Sequence, residues 1–160
     1  MTLLNEMYNT FPRQLGFPQR ITVNSMTEMI HHINKNNGKL RVFASVYNYT
    51  ANEDKDKQNL NLNSIFFDLD SKNCYDNIIK FHCYLMEKDI KHLILFSGAG
   101  FHVYVFTQGY EYIKNKKDTL FNVQHYLAKE LNFTIGDSKK ADIDEHIVGD
   151  IARIATLLGT

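Results

Sequence analysis

Ile65-Phe66-Phe67-Asp68-Leu69-Asp70 and Leu93-Ile94-Leu95-Phe96-Ser97-Gly98-Ala99-Gly100-Phe101-His102-Val103-Tyr104-Val105-Phe106-Thr107 are the two runs on which the reading of this chain turns. Four of the six residues in the first run are bulky and apolar, which predicts a strand. Alternate side chains of a strand share a face, so Asp68 and Asp70 point the same way, roughly 7 Å apart along the backbone. Two carboxylates so close repel each other, and a divalent cation relieves the repulsion. The second run predicts a β-hairpin turning at Ser97-Gly98-Ala99-Gly100, where the glycines permit positive φ and close approach of an anion to bare N–H groups. His102, Tyr104 and Phe106 then share one face of the outgoing strand, with His102 next to the turn. A carboxylate pair for a cation and a Ser/Gly/His turn for an anion together point to metal–nucleotide chemistry.

The surrounding chain predicts one α+β domain over residues 1–160. An N-terminal helical part covers 1–39 and the catalytic core 40–160, with the core continuing past Thr160. Ser25-Met26-Thr27-Glu28 is a capping-box pattern ahead of Met26, Met29, Ile30 and Ile33 at helical spacing, and Gly38 is the expected stop. Leu40 to Tyr49 alternates as one half-buried strand, with Leu40, Val42, Ala44 and Val46 on one face and Arg41, Phe43, Ser45, Tyr47 and Tyr49 on the other. Thr50 to Asn63, with Glu53 to Lys57 of mixed sign, predicts a solvated loop. Asp76 to Lys88 predicts a crossover helix, and His92 to Phe96, almost wholly apolar, a central buried strand. Asp118 opens a further helix carrying Leu120, Phe121, Gln124, Leu127 and Leu131 on one stripe.

Composition narrows the class. The formal net charge of zero removes any global basic field, so a nucleic acid would have to be held by a local patch. Lys114, Lys116 and Lys117, next to Tyr110 and Tyr112, form the best such patch, read against the ordinary fate of lysines as a solvated loop. Arg13 and Arg20 read as surface arginines. Two cysteines, Cys74 and Cys83, are too few for a disulfide framework or a four-cysteine zinc site. No run is long and apolar enough to span a bilayer, and the chain reads as cytoplasmic, without a membrane partner.

Asp68-Leu69-Asp70 followed by Ser97-Gly98-Ala99-Gly100-Phe101-His102 resembles the archaeo-eukaryotic primase superfamily. The resemblance covers residues 40 to 160. It implies a primase-polymerase-like catalytic core of largely antiparallel sheets with packed helices. The implied activity is metal-dependent, template-directed nucleotidyl transfer onto a 3′-hydroxyl with release of pyrophosphate. Implied partners are a single-stranded DNA template and primer, an NTP or dNTP, and a helicase or accessory primase domain. Two Mg²⁺ or Mn²⁺ ions would be held by Asp68, Asp70 and a third carboxylate. Asp144 takes that third position, Asp142 is the next candidate, and Asp150 is the structural one. Ser97, the N–H groups around Gly98 and Gly100, His102 and Arg153 would bind the triphosphate. Two positions depart from the family pattern, Thr156 where a second basic residue is expected and Leu158 in place of a proline.

Two other readings compete. A catalytically silent primase-like module binding nucleotide or DNA fits the same motifs and the two departures. A haloacid dehalogenase-type phosphohydrolase also opens on an Asp-x-Asp strand, but Lys72 occupies the place of its expected Thr or Val, and Ser-Gly-x-Gly-x-His is foreign to it.

Overall fold

The computed structural model describes residues 7–16, 20–36, 39, 42–49, 60–108, 114–137 and 140–156. The expectations for Gly38, Leu40, Arg41, residues 50–59 of the expected loop, Tyr110, Tyr112 and Leu158 lie outside them. The chain is a mixed α+β protein that divides into two compact units, Met1–Asn61 with Ala152–Thr160, and Leu62–Ile151. No helix of the described residues is long and apolar enough to cross a membrane.

The second unit holds both motifs. Strands β6 (Ser64–Leu69), β7 (His92–Phe96) and β8 (Phe101–Phe106) form a three-stranded sheet in the order β6-β8-β7. Both outer strands run antiparallel to β8, so β6 and β7 are parallel to each other with β8 between them. Helix α2 (Cys74–Glu87) makes the crossover that this arrangement requires. It buries Cys74, Ile78, Phe81 and Leu85, four residues on a 4-3-4 spacing. The Phe81 ring meets Phe67 of β6 edge-on at 5.0 Å. Complete burial of such side chains stabilises by about 1.5–3 kcal/mol each.

The apolar run of β7 predicted a central strand, but β7 lies at the sheet's edge and β8 is central. Its residues His92 to Ile94 are half-buried and Phe96 is exposed. Apolar content reports cover from above and below, here from α2, and carries no information on which strands lie alongside.

Helix α3 (Lys116–Glu130) starts two residues before the expected Asp118, so Lys116 and Lys117 belong to its first turn. Both long helices end alike. Asp89 and Asn132 take left-handed φ of 52° and 50°, and the next N–H reaches back, from Ile90 to the Leu85 carbonyl and from Phe133 to the Ala128 carbonyl, both at 2.8 Å. Asp and Asn tolerate that conformation better than most residues. A short parallel pair, β9 (Ile135–Gly136) and β10 (Ile143–Asp144), precedes a 3₁₀ turn at Glu145–Ile147. Strand β10 packs beside β6.

The first unit is a four-stranded antiparallel sheet in the order β11-β3-β1-β2, from β1 (Arg13–Gly16), β2 (Ile21–Val23), β3 (Phe43–Ser45) and β11 (Ile154–Thr156). The N-terminal part is therefore not helical throughout: its described residues carry two strands and helix α1 (Met26–Asn36). The capping box forms on one side, while the Glu28 carboxylate reaches one residue beyond the N-cap Ser25, to Asn24. The Ser25 hydroxyl accepts the Glu28 N–H at 3.2 Å, and the Glu28 carboxylate accepts the Asn24 N–H at 2.8 Å.

The single strand expected up to Tyr49 is broken. Beyond β3 the chain bends at Val46–Tyr47 and resumes as β4 (Asn48–Tyr49), which pairs with β5 (Leu60–Asn61). Both expected faces are buried here, Val42, Ala44 and Val46 on one and Ser45, Tyr47 and Tyr49 on the other. Arg13, expected at the surface, is fully buried. Its Nε donates to the Thr10 carbonyl at 2.8 Å, and its Nη1 to the carbonyls of Ser45 at 2.9 Å and Val46 at 3.1 Å. The guanidinium fork matches carbonyls that the broken strand leaves pointing inward, a role visible only once the bend is known.

Candidate functional site

Asp68 stands directly across the ladder from His102, and Leu69 across from Phe101. The register sets Phe66, Asp68, His102 and Tyr104 on one face of the sheet, and Phe67, Leu69 and Phe101 on the other, against α2. The Asp68 carboxylate and the His102 imidazole approach to 3.7 Å. An edge-on contact with the Phe66 ring at 5.1 Å supports the imidazole. Asp70 follows the last residue of β6 and is exposed, on the Asp68 side by the alternation of the strand.

The hairpin turn closes on itself, the Ser97 N–H donating to the Gly100 carbonyl at 2.9 Å and the Gly100 N–H to the Ser97 hydroxyl at 3.1 Å. Its two glycines are needed for different reasons. Gly98 adopts φ of +100° in open space, so the demand there is conformational. At Gly100 the demand is steric. A Cβ would fall 2.1 Å from the Leu69 carbonyl oxygen, 2.7 Å from Asp70 Cα and 2.9 Å from Asp70 Cβ. The turn is therefore pressed onto the backbone that carries the carboxylate pair. Two motifs separated by the 26 residues 71–96 meet at one end of one sheet. Ser97, Gly98 and Ala99 are exposed there.

Asp144 is the last residue of β10, beside β6, and half-buried. Its Oδ1 accepts the His146 N–H at 2.9 Å and so caps the 3₁₀ turn. Asp142 is differently occupied. Its Oδ1 accepts the Asn77 amide of α2 at 2.6 Å, and its Oδ2 accepts both the N–H and the hydroxyl of Thr134 at 2.9 Å. Burial alone would raise its pKa, but these hydrogen bonds, with Lys80 nearby, hold it below the ordinary carboxylate value. Asp142 is thus a strap between α2 and the β9–β10 pair. Asp150 lies in the turn after the 3₁₀ helix, its N–H donating to the Ile147 carbonyl at 3.1 Å.

Sequence reasoning missed the role of Gln124, which it placed on an apolar stripe. This glutamine is 1% exposed. Its amide nitrogen donates to the Phe66 carbonyl of β6 at 2.8 Å and leans toward the Ile147 carbonyl at 3.4 Å. Its amide oxygen accepts the Gly149 N–H at 2.7 Å. One side chain thereby ties the edge of the Asp68 strand to the turn that follows Asp144. The available signal was a polar residue inside an apolar stripe, which has to find buried partners.

Arg153 belongs to the other unit, where its carbonyl accepts the Val46 N–H at 2.9 Å next to β11, and Thr156 lies within that strand. The lysine patch is divided: Lys114 and Lys117 are exposed, but Lys116 is buried in the first turn of α3, which corrects the reading of three solvated lysines. Helical periodicity turns the middle lysine inward. Among the described residues no three His, Cys, Asp or Glu side chains stand close enough to hold a metal ion as they are arranged. In kind, carboxylates at Asp68, Asp70 and Asp144 suit a hard divalent cation, which prefers oxygen ligands. In comparisons with known proteins, no family model and no curated protein matches the chain.

Proposed function

We propose that this chain is a metal-dependent, template-directed nucleotidyltransferase of the primase-polymerase kind, acting in the cytoplasm on a single-stranded DNA template with a primer and an NTP or dNTP. The observation that carries the reading is the steric lock of Gly100 on Leu69 and Asp70, which sets an anion-suited turn against a carboxylate pair. Mg²⁺ or Mn²⁺ held by Asp68, Asp70 and Asp144 would neutralise the carboxylates and lower the pKa of a 3′-hydroxyl.

The chain's own groups supply the rest. The exposed main chain at Gly98 and Ala99 offers N–H donors to phosphate oxygens, with the Ser97 hydroxyl beside them. The turn's internal hydrogen bonds hold these donors in place before a nucleotide arrives, so little ordering is left to the moment of binding. The His102 ring packs edge-on against Phe66 and faces Asp68, and its N–H is the side-chain donor proposed for the phosphates. No protein nucleophile is called for.

The test is nucleotide incorporation on a single-stranded template, with and without primer, in Mg²⁺ or Mn²⁺, against a doubly substituted Asp68→Ala/Asp70→Ala control. Incorporation abolished in the control supports the proposal and reports whether a primer is needed. Absent incorporation with nucleotide or DNA binding intact would favour the silent module. That second reading draws on Asp144, whose carboxylate already caps a turn, and on Thr156 at the expected basic position.

A further inference from the structure

At the same end of the sheet as the turn, but on the opposite face from Asp68 and His102, three aromatic rings form a surface cluster. Phe101 stands between Leu69 and Phe96 across the three strands. Its ring meets Tyr75 of α2 edge-on at 5.2 Å and Phe96 at 5.6 Å. Phe101 is half-buried, whereas Phe96 is 62% exposed and Tyr75 63% exposed. Large rings left this open cost hydration free energy that burial would recover, and adjacent exposed aromatics mark a binding surface. Phe96 adjoins Ser97 in sequence. The turn's two internal hydrogen bonds use the N–H groups of Ser97 and Gly100 and leave out those of the exposed Gly98 and Ala99. Lys72 is exposed in the loop joining Asp70 to α2, three residues before Tyr75.

Flat apolar faces and a nearby ammonium are two elements that recognise one unstacked nucleotide of a strand. We infer that Phe96, Phe101 and Tyr75 form a base-stacking platform for single-stranded nucleic acid, with the strand's phosphates toward the exposed Lys72. The inference rests on the proposed transferase reading for its biological sense. It names a strand-binding surface on the far side of the sheet from the carboxylates, so the strand held here is distinct from the nucleotide at Asp68 and Asp70. Duplex DNA, with its bases already stacked, has no free face to offer the platform.

The experiment measures binding of fluorescein-labelled oligothymidylate and oligouridylate, of about 20 nucleotides, by anisotropy at fixed salt. The two arms distinguish DNA from RNA as the natural strand. Phe96→Ala and Tyr75→Ala are each expected to weaken binding by about 5- to 100-fold while leaving the melting temperature unchanged, since both side chains are exposed. The chain contains no tryptophan, so Phe96→Trp supplies the sole indole, and its emission is expected to be quenched as strand is added. Unchanged affinity in both alanine variants together with unquenched Phe96→Trp emission overturns the platform, as does a wild-type protein that binds neither oligonucleotide. Stronger dependence on Ile79→Ser or Met86→Ser, further along α2, also overturns it and identifies that apolar strip as the contact. Failure here and failure of the transferase reading are separable. Binding that depends on Phe96 without incorporation keeps the platform and removes the polymerase, and incorporation unaffected by Phe96→Ala does the reverse.

Discussion

Gly100 lies against Asp70 so closely that no side chain fits between them, a Cβ there falling 2.7 Å from Asp70 Cα and 2.1 Å from the preceding carbonyl oxygen. Those neighbours are backbone and cannot rotate aside. Gly100→Ala is therefore expected to destabilise by about 3 kcal/mol or more, read as a shift in urea midpoint. Gly98→Ala meets open space and only a left-handed φ, and is expected to cost about 1–2 kcal/mol. Equal losses at the two positions would mean that the turn does not press on the Asp70 backbone.

Gln124 makes its own demand on stability, because its buried amide satisfies a donor and an acceptor on different elements. Gln124→Leu keeps the volume and leaves the Phe66 carbonyl and the Gly149 N–H without that partner, an expected loss of about 2–4 kcal/mol. Gln124→Glu can still accept from Gly149 but, when ionised, sets a carboxylate against the Phe66 carbonyl. Burial raises the pKa of that introduced acid in the folded state above its unfolded value near 4.3. Its stability relative to wild type is best at acid pH, where the neutral acid can donate, and is lost as pH rises through the folded pKa. Denaturation series at pH 5 and pH 8 would record the difference, and a pH-independent deficit would refute the two-sided role.

Arg13 offers a test of the first unit that is independent of any chemistry. A lysine there keeps the charge but loses the planar fork reaching Thr10, Ser45 and Val46. Arg13→Lys is expected to cost about 2–4 kcal/mol, whereas Arg20→Ala, at an exposed position with one long contact to Gln14, should change stability by under about 0.5 kcal/mol. Thermal unfolding of the two variants decides it. A stable Arg13→Lys protein with weakened nucleic-acid binding would return Arg13 to the surface.

What could be read from the chain and what could not follow from how far each interaction reaches along it. Strand β6, helix α2 and the hairpin around Ser97 to Gly100 are local, and periodicity with turn chemistry was enough to find them. That Asp68 and His102 face each other was half legible, since each lies on a predictable face but the register between β6 and β8 is a long-range fact. The edge position of β7, the bend at Val46–Tyr47 and the burial of Arg13 depend on partners distant in sequence, and no local pattern announces them. Phe96 illustrates the converse. An aromatic residue in an apolar run reads as core, and only the finished sheet reveals it as surface.

Asp142 and Asp144 sit two residues apart on one short segment, and their carboxylates hold different partners, Asn77 and Thr134 for the first and the His146 N–H for the second. With three hydrogen bonds to its carboxylate, Asp142 has a folded pKa below the unfolded value, so its contribution is present above the ordinary carboxylate range near 3.8 and is lost as pH falls through the lower folded value. Asp142→Asn is expected to lower stability at pH 7 by about 1 kcal/mol, with the gap to wild type closing below about pH 4. Nucleotide incorporation by the folded variant should stay within about threefold of wild type, because the strap lies outside the proposed ligand set. Asp144→Asn removes little stability, since an asparagine oxygen can still cap the His146 N–H, yet it deletes a proposed metal-binding charge. Incorporation is then expected to fall by about 100-fold or more, with partial recovery on raising Mn²⁺. The reverse pattern, activity lost at Asp142 and kept at Asp144, would move the third carboxylate and require the Asn77–Thr134 strap to open during turnover.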